Sequence, residues 1–381
     1  MSNGKGGFIG QDGLNAPDEP TDVTVSGGVD GVASVAFTAP TDVGASAITG
    51  FVATASTGVG ATGTSSPISI TGLTVGTAVT FRAYAINAFG TSAASDATSS
   101  VTPSASRGVF GNTIEGVRAT MDLINIPTAG NATDFGDLTI NKSRGGSGSA
   151  SSTTRGLFIG GDNTNVIEYI TISTAGNGTD FGDLSATKQY GPGSFSNSIR
   201  AVVGGGSNNT IEYVTIATTG NSTDFGDDYV NFRYDLAGTA DSTRGLLAGG
   251  FASSNGQSVN VIRYVTVATT GNTTDFGDLT VSRGGLGAAS NATRGMFFGG
   301  GNGANAGTVQ NTVDYVTISS VGNATDFGDL SSTSRGHRSV ASQTRAVTNL
   351  GYAGSGNVDT LDFFTIADTG NATDFGNLIN T

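Results

Sequence analysis

Short apolar runs, separated by glycine and small polar residues, follow one another along most of the chain. Residues 166–172 (Val-Ile-Glu-Tyr-Ile-Thr-Ile) alternate apolar and polar side chains, as in a strand with one buried face. Residues 155–161 are mostly apolar and end in a glycine pair, which predicts a second strand. A turn is expected at 175–179, where Gly and Asn tolerate positive φ, and another strand begins at Thr-Asp-Phe-Gly-Asp-Leu. With the small residues of 146–152, this pattern predicts four short strands in succession.

The same pattern occurs six times. The aspartates of Thr-Asp-Phe-Gly are Asp134, Asp180, Asp224, Asp275, Asp326 and Asp374, at spacings of 46, 44, 51, 51 and 48 residues. An Arg followed by Gly or Ala and an apolar run alternates with them, at Arg107, Arg155, Arg200, Arg244, Arg294 and Arg345. Strict alternation of two markers indicates six repeats of one supersecondary unit.

Four-stranded repeats of this length fit the blades of a β-propeller, with the smallest residues on the strand nearest the axis. The glycine pairs and the absence of a 3.6-residue apolar period argue against helical repeats. A β-solenoid is the alternative, but its turns usually repeat over fewer residues. The sequence therefore predicts an all-β protein with a six-bladed propeller over residues 104–381.

An aromatic position follows each glycine-ended strand, with a phenylalanine further along. The first set is Tyr169, Tyr213, Tyr264, Tyr315 and Phe363, with Leu123 in the least regular repeat. The second set is Phe135, Phe181, Phe225, Phe276, Phe327 and Phe375. Together with the glycine pairs, these positions resemble the kelch repeat, in which Trp commonly occupies the second position. Kelch-type rings usually close with strands from both chain ends, so the innermost strand of the first repeat either comes from residues 99–106 or is missing.

Residues 17–103 do not share the repeat. Their pattern of alternating strands and turns predicts a β-sandwich, and Ile48-Thr-Gly-Phe51 and Phe81-Arg-Ala-Tyr84-Ala-Ile-Asn87 resemble a fibronectin type III module. Phe37 stands where that family has a core Trp, and Val79 stands where it has a Tyr. Residues 1–16 are Gly-rich with isolated apolar positions. They are either a floppy terminus or a peptide that docks on a neighbouring subunit.

Composition narrows the function classes. The chain has 381 residues, 61 Gly, no Cys and one His. Lacking Cys, it has no disulfide, thiolate metal site or cysteine nucleophile. The net charge of -13 repels phosphate backbones, so no nucleic-acid partner is expected. No apolar stretch is long enough to span a bilayer and no secretory signal is visible, so we expect a protein made in a cytoplasm without membrane insertion.

The chemistry-bearing residues argue against an enzyme. His337 has no second His or Cys with which to build a zinc site or a triad. No catalytic residue and no cofactor are therefore predicted, with calcium as the one alternative. Five motifs end in a second aspartate, and these carboxylates are either calcium ligands or acceptors within turns. The pairs are Asp134 and Asp137, Asp180 and Asp183, Asp224 and Asp227, Asp275 and Asp278, and Asp326 and Asp329.

Two further recurring residues have competing interpretations. The six arginines either form a basic ring or, as we expect, each pairs with an acidic group, the motif aspartate being the obvious partner. Asn-x-Thr precedes every Asp-Phe-Gly and is formally a glycosylation acceptor. A turn asparagine followed by a β-favouring Thr explains it without modification.

Almost all the length variation between repeats lies in one connection. The distance from the Arg to the following aromatic ranges from 13 to 21 residues, whereas the aromatic-to-Asp distance is always 11. Insertions in repeat arrays map to loops on one face, which is often the binding face. The long connections of the fourth and fifth repeats therefore supply the candidate ligand-binding residues. These are Phe251, Ser254, Asn255, Gln257, Asn302, Asn305 and Gln310.

The tandem Asn-x-Thr-Asp-Phe-Gly-Asp-Leu repeats, the fibronectin-like module and the Gly-Gly-Phe-Ile-Gly start resemble virion proteins of tailed bacteriophages, especially marine cyanophages. That resemblance implies a tail-fibre or appendage protein, assembled in the host cytoplasm, whose propeller recognises host surface glycans. It also implies virion structural proteins as partners through residues 1–16 and the sandwich, and a homo-oligomer. The alternatives are a capsid-attached decoration protein without receptor binding and a calcium-dependent bacterial adhesin module.

Overall fold

The computed structural model describes residues 15–111, 119–140, 148–161, 163–188, 191–206, 208–230, 232–252, 257–302, 308–354 and 356–379. Over these residues the protein is all-β, with small antiparallel sheets and no helix, as the sequence predicts. These residues therefore contain no helix with the length and apolar character needed to cross a membrane. The chain divides into two compact units, Met1–Ser106 and Arg107–Thr381.

The amino-terminal unit contains two antiparallel sheets. Its strands are β1 (Thr21–Val29), β2 (Val32–Thr38), β3 (Ile48–Ala55), β4 (Gly60–Gly63), β5 (Ile68–Ile70), β6 (Phe81–Asn87) and β7 (Gly90–Thr91). The sheet orders are β1-β2-β5 and β4-β3-β6-β7. Alternate residues of β2, β3 and β6 are buried and form one core. Phe37 and Phe51 pack in it with ring centroids 4.9 Å apart, and Val79 is buried beside them.

The carboxy-terminal unit contains the six repeats. Repeat 1 has β8 (Arg107–Gly111), β9 (Thr120–Asn125) and β10 (Thr133–Asp137). Repeat 2 has β11 (Gly148–Ser151), β12 (Arg155–Gly161), β13 (Thr164–Thr171) and β14 (Thr179–Lys188). Repeat 3 has β15 (Gly193–Ser196), β16 (Arg200–Gly204), β17 (Thr210–Thr215) and β18 (Thr223–Asp227), followed by β19 (Phe232–Tyr234).

Repeat 4 has β20 (Ala237–Ala240), β21 (Arg244–Ala248), β22 (Phe251–Ala252), β23 (Val261–Thr266) and β24 (Thr274–Asp278). Repeat 5 has β25 (Gly287–Ser290), β26 (Arg294–Phe298), β27 (Gly301–Asn302), β28 (Thr308–Thr317) and β29 (Thr325–Ser334). Repeat 6 has β30 (Ser339–Ala341), β31 (Arg345–Asn349), β32 (Thr360–Thr365) and β33 (Thr373–Asn377).

Repeats 2 to 6 each form an antiparallel sheet in which four strands pair in chain order. This confirms the four-strand pattern read from the sequence. β19 and β22 form a small additional pair, and β27 extends the edge of β28. Each sheet has the small-residue strand at one edge, here called the inner strand, and the Asp-Phe-Gly strand at the other.

Consecutive repeats are joined by the same two hydrogen bonds. Between repeats 1 and 2, the Gly176 N–H donates to the Phe135 carbonyl at 2.7 Å, and the Asp137 N–H donates to Asn177 Oδ1 at 3.0 Å. These bonds recur at the following junctions. They also join the last repeat to the first, where the Asn377 N–H donates to Asn131 Oδ1 at 3.1 Å.

The motif glycine is required by this junction. Gly136 has φ +136°, and a Cβ there would lie 2.5 Å from the Gly176 carbonyl oxygen of the next repeat. An L-residue is strained at that φ, and the added carbon would push the two repeats apart. The other five motif glycines meet the following turn in the same way.

Among the described residues, the first repeat alone lacks one of the four strands. Its sheet has the order β10-β9-β8, without an inner strand. Residues 99–106 do not supply one, because they hydrogen-bond within the amino-terminal unit. Val101 exchanges backbone bonds with Val79, and the Ser104 N–H donates to the Gly28 carbonyl. The sequence leaves two alternatives open, a strand from residues 99–106 or no inner strand. Within the described residues, repeat 1 has no inner strand.

Candidate functional site

The strand pairing defines two ends of the repeat array. At one end each inner strand begins and the second strand passes to the third, as the pairing of Gly148 with Ile159 shows. The connection whose length varies lies here, and we call this the variable end. At the opposite end Ser151 pairs with Gly156, next to Arg155, and we call it the arginine end.

The six repeat arginines brace neighbouring repeats. Arg155 Nη1 donates to the Ile216 carbonyl of repeat 3 at 2.8 Å, and its guanidinium carbon lies 4.3 Å from the centre of the Tyr169 ring. Arg345 does the same from repeat 6 to repeat 1, donating to the Ile126 and Pro127 carbonyls at 3.1 and 2.8 Å. The other four repeat arginines likewise donate from Nη1 to a backbone carbonyl of the next repeat.

The expected pairing of these arginines with the motif aspartates is therefore wrong. The guanidinium reaches forward to a backbone turn of the next repeat, whereas the motif aspartate lies at the far edge of the sheet. Since all six guanidinium groups donate to carbonyls of the next repeat and five of them also lie over an aromatic ring, the arginines act as structural braces. This leaves no ring of unengaged arginine heads among these six.

Sequence reasoning missed a layer of buried charge. The residue before the aromatic position is polar in every repeat: Asp122, Glu168, Glu212, Arg263, Asp314 and Asp362. All six are buried. The acidic members accept hydrogen bonds from the preceding repeat, as when Glu212 accepts from the Ser185 N–H at 2.8 Å. In the sequence, this layer is visible as one charged residue inside each apolar run, as in Ile-Glu-Tyr.

Buried cations accompany three of these sites. Lys188 Nζ lies 3.4 Å from Glu212 Oε2, and Arg283 Nη2 lies 2.9 Å from Asp314 Oδ2. In repeat 4 the charges are reversed, because Arg263 takes the place of the acid. Its Nε lies 2.8 Å from Asp228, which occupies a position that is Leu in the other repeats. The exchange keeps the buried pair neutral.

The acid environments differ. Burial raises the pKa of Asp362 above its usual value, against hydrogen bonds from Ser331 that lower it. Burial also opposes ionisation of Glu212. Hydrogen bonds from Ser185 and Ser222, together with the Lys188 charge, outweigh it and hold the Glu212 pKa below its usual value. These groups serve repeat-to-repeat packing and are closed to ligands.

The motif aspartates and the Asn-x-Thr asparagines lie at the repeat junctions. Asp134 accepts a bond from the Gly136 N–H at 3.3 Å, and the Asp137 N–H is bound by Asn177. Within the described ranges, no group of three or more His, Cys, Asp or Glu side chains is arranged to hold a metal ion. The asparagine side chains have a structural role, since each Oδ1 accepts the inter-repeat bond.

His337 is buried at the variable end of repeat 6. Its Nδ1 lies 2.7 Å from the Asn349 carbonyl and its Nε2 lies 3.1 Å from the Ser334 carbonyl. Burial lowers the pKa of His337 to about 4, despite these two carbonyls. The imidazole is therefore neutral at pH 7 and carries one N–H, so it donates to one of the two carbonyls, while Ser334 Oγ lies 3.4 Å from Nε2.

Two cavities lie along the inner strands. The larger, of about 300 Å³, is lined at the arginine end by small residues such as Ser151, Ser196 and Ser290. The smaller, of about 70 Å³, opens at the variable end between Pro192, Leu236, Leu286 and His337. Hydroxyl groups and small side chains make up most of the wall of the larger cavity, which also includes Arg107, whereas Asp235, His337 and Arg338 line the smaller one.

The variable end carries the predicted ligand-binding residues. Gln257 and Asn302 are exposed, and Gln310 is half-buried. Asn302 Oδ1 accepts a hydrogen bond from Ser258 at 2.9 Å, which connects the long segments of repeats 4 and 5. Ser254, Asn255 and Asn305 lie outside the described residues.

Phe251 requires a correction as a candidate ligand contact. Its ring is buried and stacks on Tyr234 with centroids 5.1 Å apart, so it anchors the connection instead of facing solvent. The connections are tied down by backbone pairing as well. Gly284 lies just before the inner strand of repeat 5, and Gly301 lies in β27 of the same repeat. Their backbones exchange two hydrogen bonds of 2.8 and 2.9 Å.

Comparison with known protein-family models and with curated proteins gives no match for this chain.

Proposed function

We propose that the carboxy-terminal unit is a six-bladed, kelch-like β-propeller and that the amino-terminal unit is a fibronectin type III-like sandwich. The junction geometry supports the propeller. A linear stack leaves its first and last repeats without partners, whereas here the Asn377 N–H bonds to Asn131. Phe375 and Val347 of repeat 6 also share a buried cluster with Phe110 of repeat 1.

On this architecture, the protein is a virion attachment protein, carried on a tail fibre or another appendage of a tailed bacteriophage. Its propeller recognises host surface glycans through the variable end. The observation that carries this proposal is that length variation and added strand pairs concentrate at one end of an otherwise regular array. Exposed amides at Gln257 and Asn302 suit hydroxyl-rich ligands, because an amide both donates and accepts hydrogen bonds.

Charge favours a neutral ligand. The net charge of -13 repels anionic polymers, and the six repeat arginines are engaged with backbone carbonyls of the next repeat. Recognition then rests on hydrogen bonds from a preformed rim, which keeps the ordering cost of binding low. No step of this function requires a catalytic group.

A glycan array read with the full-length protein tests the proposal. Replacing both Gln257 and Asn302 with Ala is expected to abolish binding to the glycans recognised by the wild type. Ile199→Ser is the matched control, since Ile199 is 61% exposed at the arginine end. Equal loss in both variants, or binding untouched by the double change, would reject recognition at the variable end.

Phage particles that carry the double variant distinguish a role in host attachment from a role as a capsid decoration protein. If they adsorb poorly to the host, the attachment role is supported. If they assemble stably and adsorb as well as the wild type, the protein is instead a decoration protein of the capsid.

A further inference from the structure

The first repeat presents an open strand edge. In repeat 2 the Ser152 N–H donates to the Arg155 carbonyl, so by antiparallel alternation Leu157 and Ile159 bond to the inner strand. The equivalent residues of repeat 1 are Val109 and Gly111, in β8. Within the described residues no strand pairs with that side of β8, where the backbone groups of Val109 and Gly111 lie.

The surroundings of the neighbouring repeat agree with the lack of a described strand there. The inner strands of repeats 3, 4 and 6 place a side chain on the glycine after the next repeat's Arg. Phe195 lies on Gly245, Thr239 on Gly295 and Val340 on Gly108. At Gly156 of repeat 2, the three described atoms nearest to an added Cβ belong to Ile170 and Ile172 of its own sheet. Among the residues that the structure describes, no inner strand therefore covers Gly156 as one covers the equivalent glycine in repeats 1, 4 and 5.

The larger cavity extends into this gap. Five inner strands contribute to its wall, and almost all its other lining residues come from the gap between repeats 1 and 2. They include Val109, Gly156, Phe158 and Ile170. No second or third strand of repeats 3 to 6 lines it. The cavity is thus one-sided, as expected if one of six inner strands is missing.

The five occupied positions define what fits. The inner strands read Gly-Ser-Ala-Ser, Gly-Ser-Phe-Ser, Ala-Gly-Thr-Ala, Gly-Ala-Ala-Ser and, in β30, Ser-Val-Ala. Nearly all their side chains are small, and the first and third positions of the four-residue strands are buried. The chain's own counterpart, residues 100–103, is held by Val79 and Gly76 of the amino-terminal unit.

We propose that β8 is an acceptor site for β-strand addition, and that its occupant is an extended segment of another polypeptide with four consecutive small residues. Such a segment would pair antiparallel with β8, satisfy the groups of Val109 and Gly111, and cover Gly156. Strand addition draws affinity from main-chain hydrogen bonds and selectivity from alternate side chains. The position beside β8 favours small side chains, because it lies where the sheets converge. This site is independent of glycan recognition at the variable end.

A labelled peptide with the sequence of residues 287–293 (Gly-Ala-Ala-Ser-Asn-Ala-Thr) serves as the probe, added to the full-length protein and followed by fluorescence anisotropy. Val109→Pro removes one amide of the open edge, and the β8–β9 ladder does not use that amide. We expect this variant to bind the peptide at least tenfold more weakly, and Val109→Ala to bind as the wild type. A peptide with Glu at the two buried positions should not bind.

Amide hydrogen exchange on the wild type gives a second measurement that does not depend on the Pro variant folding. The amides of Val109 and Gly111 should exchange rapidly in the free protein and become protected on adding the peptide. Those of Leu157 and Ile159 should be protected throughout. Absence of peptide binding, binding that Val109→Pro leaves unchanged, or protection of Val109 and Gly111 before peptide is added would overturn the proposal.

Discussion

Replacing a bracing arginine by Met measures what holds neighbouring repeats together. Met keeps most of the aliphatic stem of Arg155 but removes the hydrogen bond to the Ile216 carbonyl and the cation from the face of Tyr169. A hydrogen bond from a charged group contributes about 1.5–3 kcal/mol. A cation over an aromatic ring at a part-exposed site contributes about 0.5–1 kcal/mol. Since Arg155 is only partly buried, we expect Arg155→Met to lower the free energy of unfolding by about 2 kcal/mol.

The same change at Arg345 tests whether repeat 6 is bonded to repeat 1. Arg345 lies 4.2 Å from the centre of the Phe363 ring and donates to the Ile126 and Pro127 carbonyls. If the array is closed, Arg345→Met costs about as much as Arg155→Met, again about 2 kcal/mol.

Urea unfolding followed by tyrosine fluorescence is the suitable assay, because eight of the nine tyrosines lie in the carboxy-terminal unit. No loss of stability in Arg155→Met would refute the bracing role. A loss in Arg155→Met with none in Arg345→Met would refute the link between the last and first repeats.

Three other variants test the buried groups. The free energy of unfolding of His337→Asn should differ most from that of the wild type near pH 7.5. Because the folded-state pKa of His337, about 4, lies below its unfolded-state pKa, the wild type loses roughly 3 kcal/mol of stability as the pH falls from about 7 to 4. A wild-type-minus-variant difference that stays constant across that range, measured by urea unfolding, would contradict this. Gly226→Ala, at φ +146° with its Cβ 2.4 Å from the Gly271 carbonyl oxygen, should cost about 3 kcal/mol in the same assay, and an unchanged midpoint would count against the junction geometry. Asp228→Asn leaves Arg263 buried without its counter-ion and should cost about 3–5 kcal/mol, whereas a loss below about 1 kcal/mol would show that the pair is not buried in solution.

The periodic elements could be predicted from the sequence. The run from Arg155 to the glycine pair, the alternating Tyr169 strand and the Asp-Phe-Gly strand all form where expected, because apolar periodicity and glycine positions are local signals. The repeat count followed from the same markers.

Long-range partners could not be predicted in this way. Arg155 was assigned to an aspartate because opposite charges attract, but repeat packing places backbone carbonyls of the next repeat closer. The reversed pair of Asp228 and Arg263 is hidden because each residue looks like an ordinary polar position until the two repeats are brought together.

A ligand site in the connections of repeats 4 and 5 stays a prediction. Length variation directs attention to these connections, and the structure shows that Gln257 and Asn302 are exposed there. It could not show that Phe251 turns inward onto Tyr234, since an aromatic residue in a long connection is compatible with either orientation. The open edge of β8 is equally invisible in sequence, because residues 100–103 are well suited to a strand but pair elsewhere.

A crystal structure of the full-length protein would show whether the six repeats close around a common axis. We expect six radial sheets, with Asn131 of the first repeat bonded to the Asn377 backbone of the last. A linear stack of sheets, or a ring with any other number of them, would contradict it.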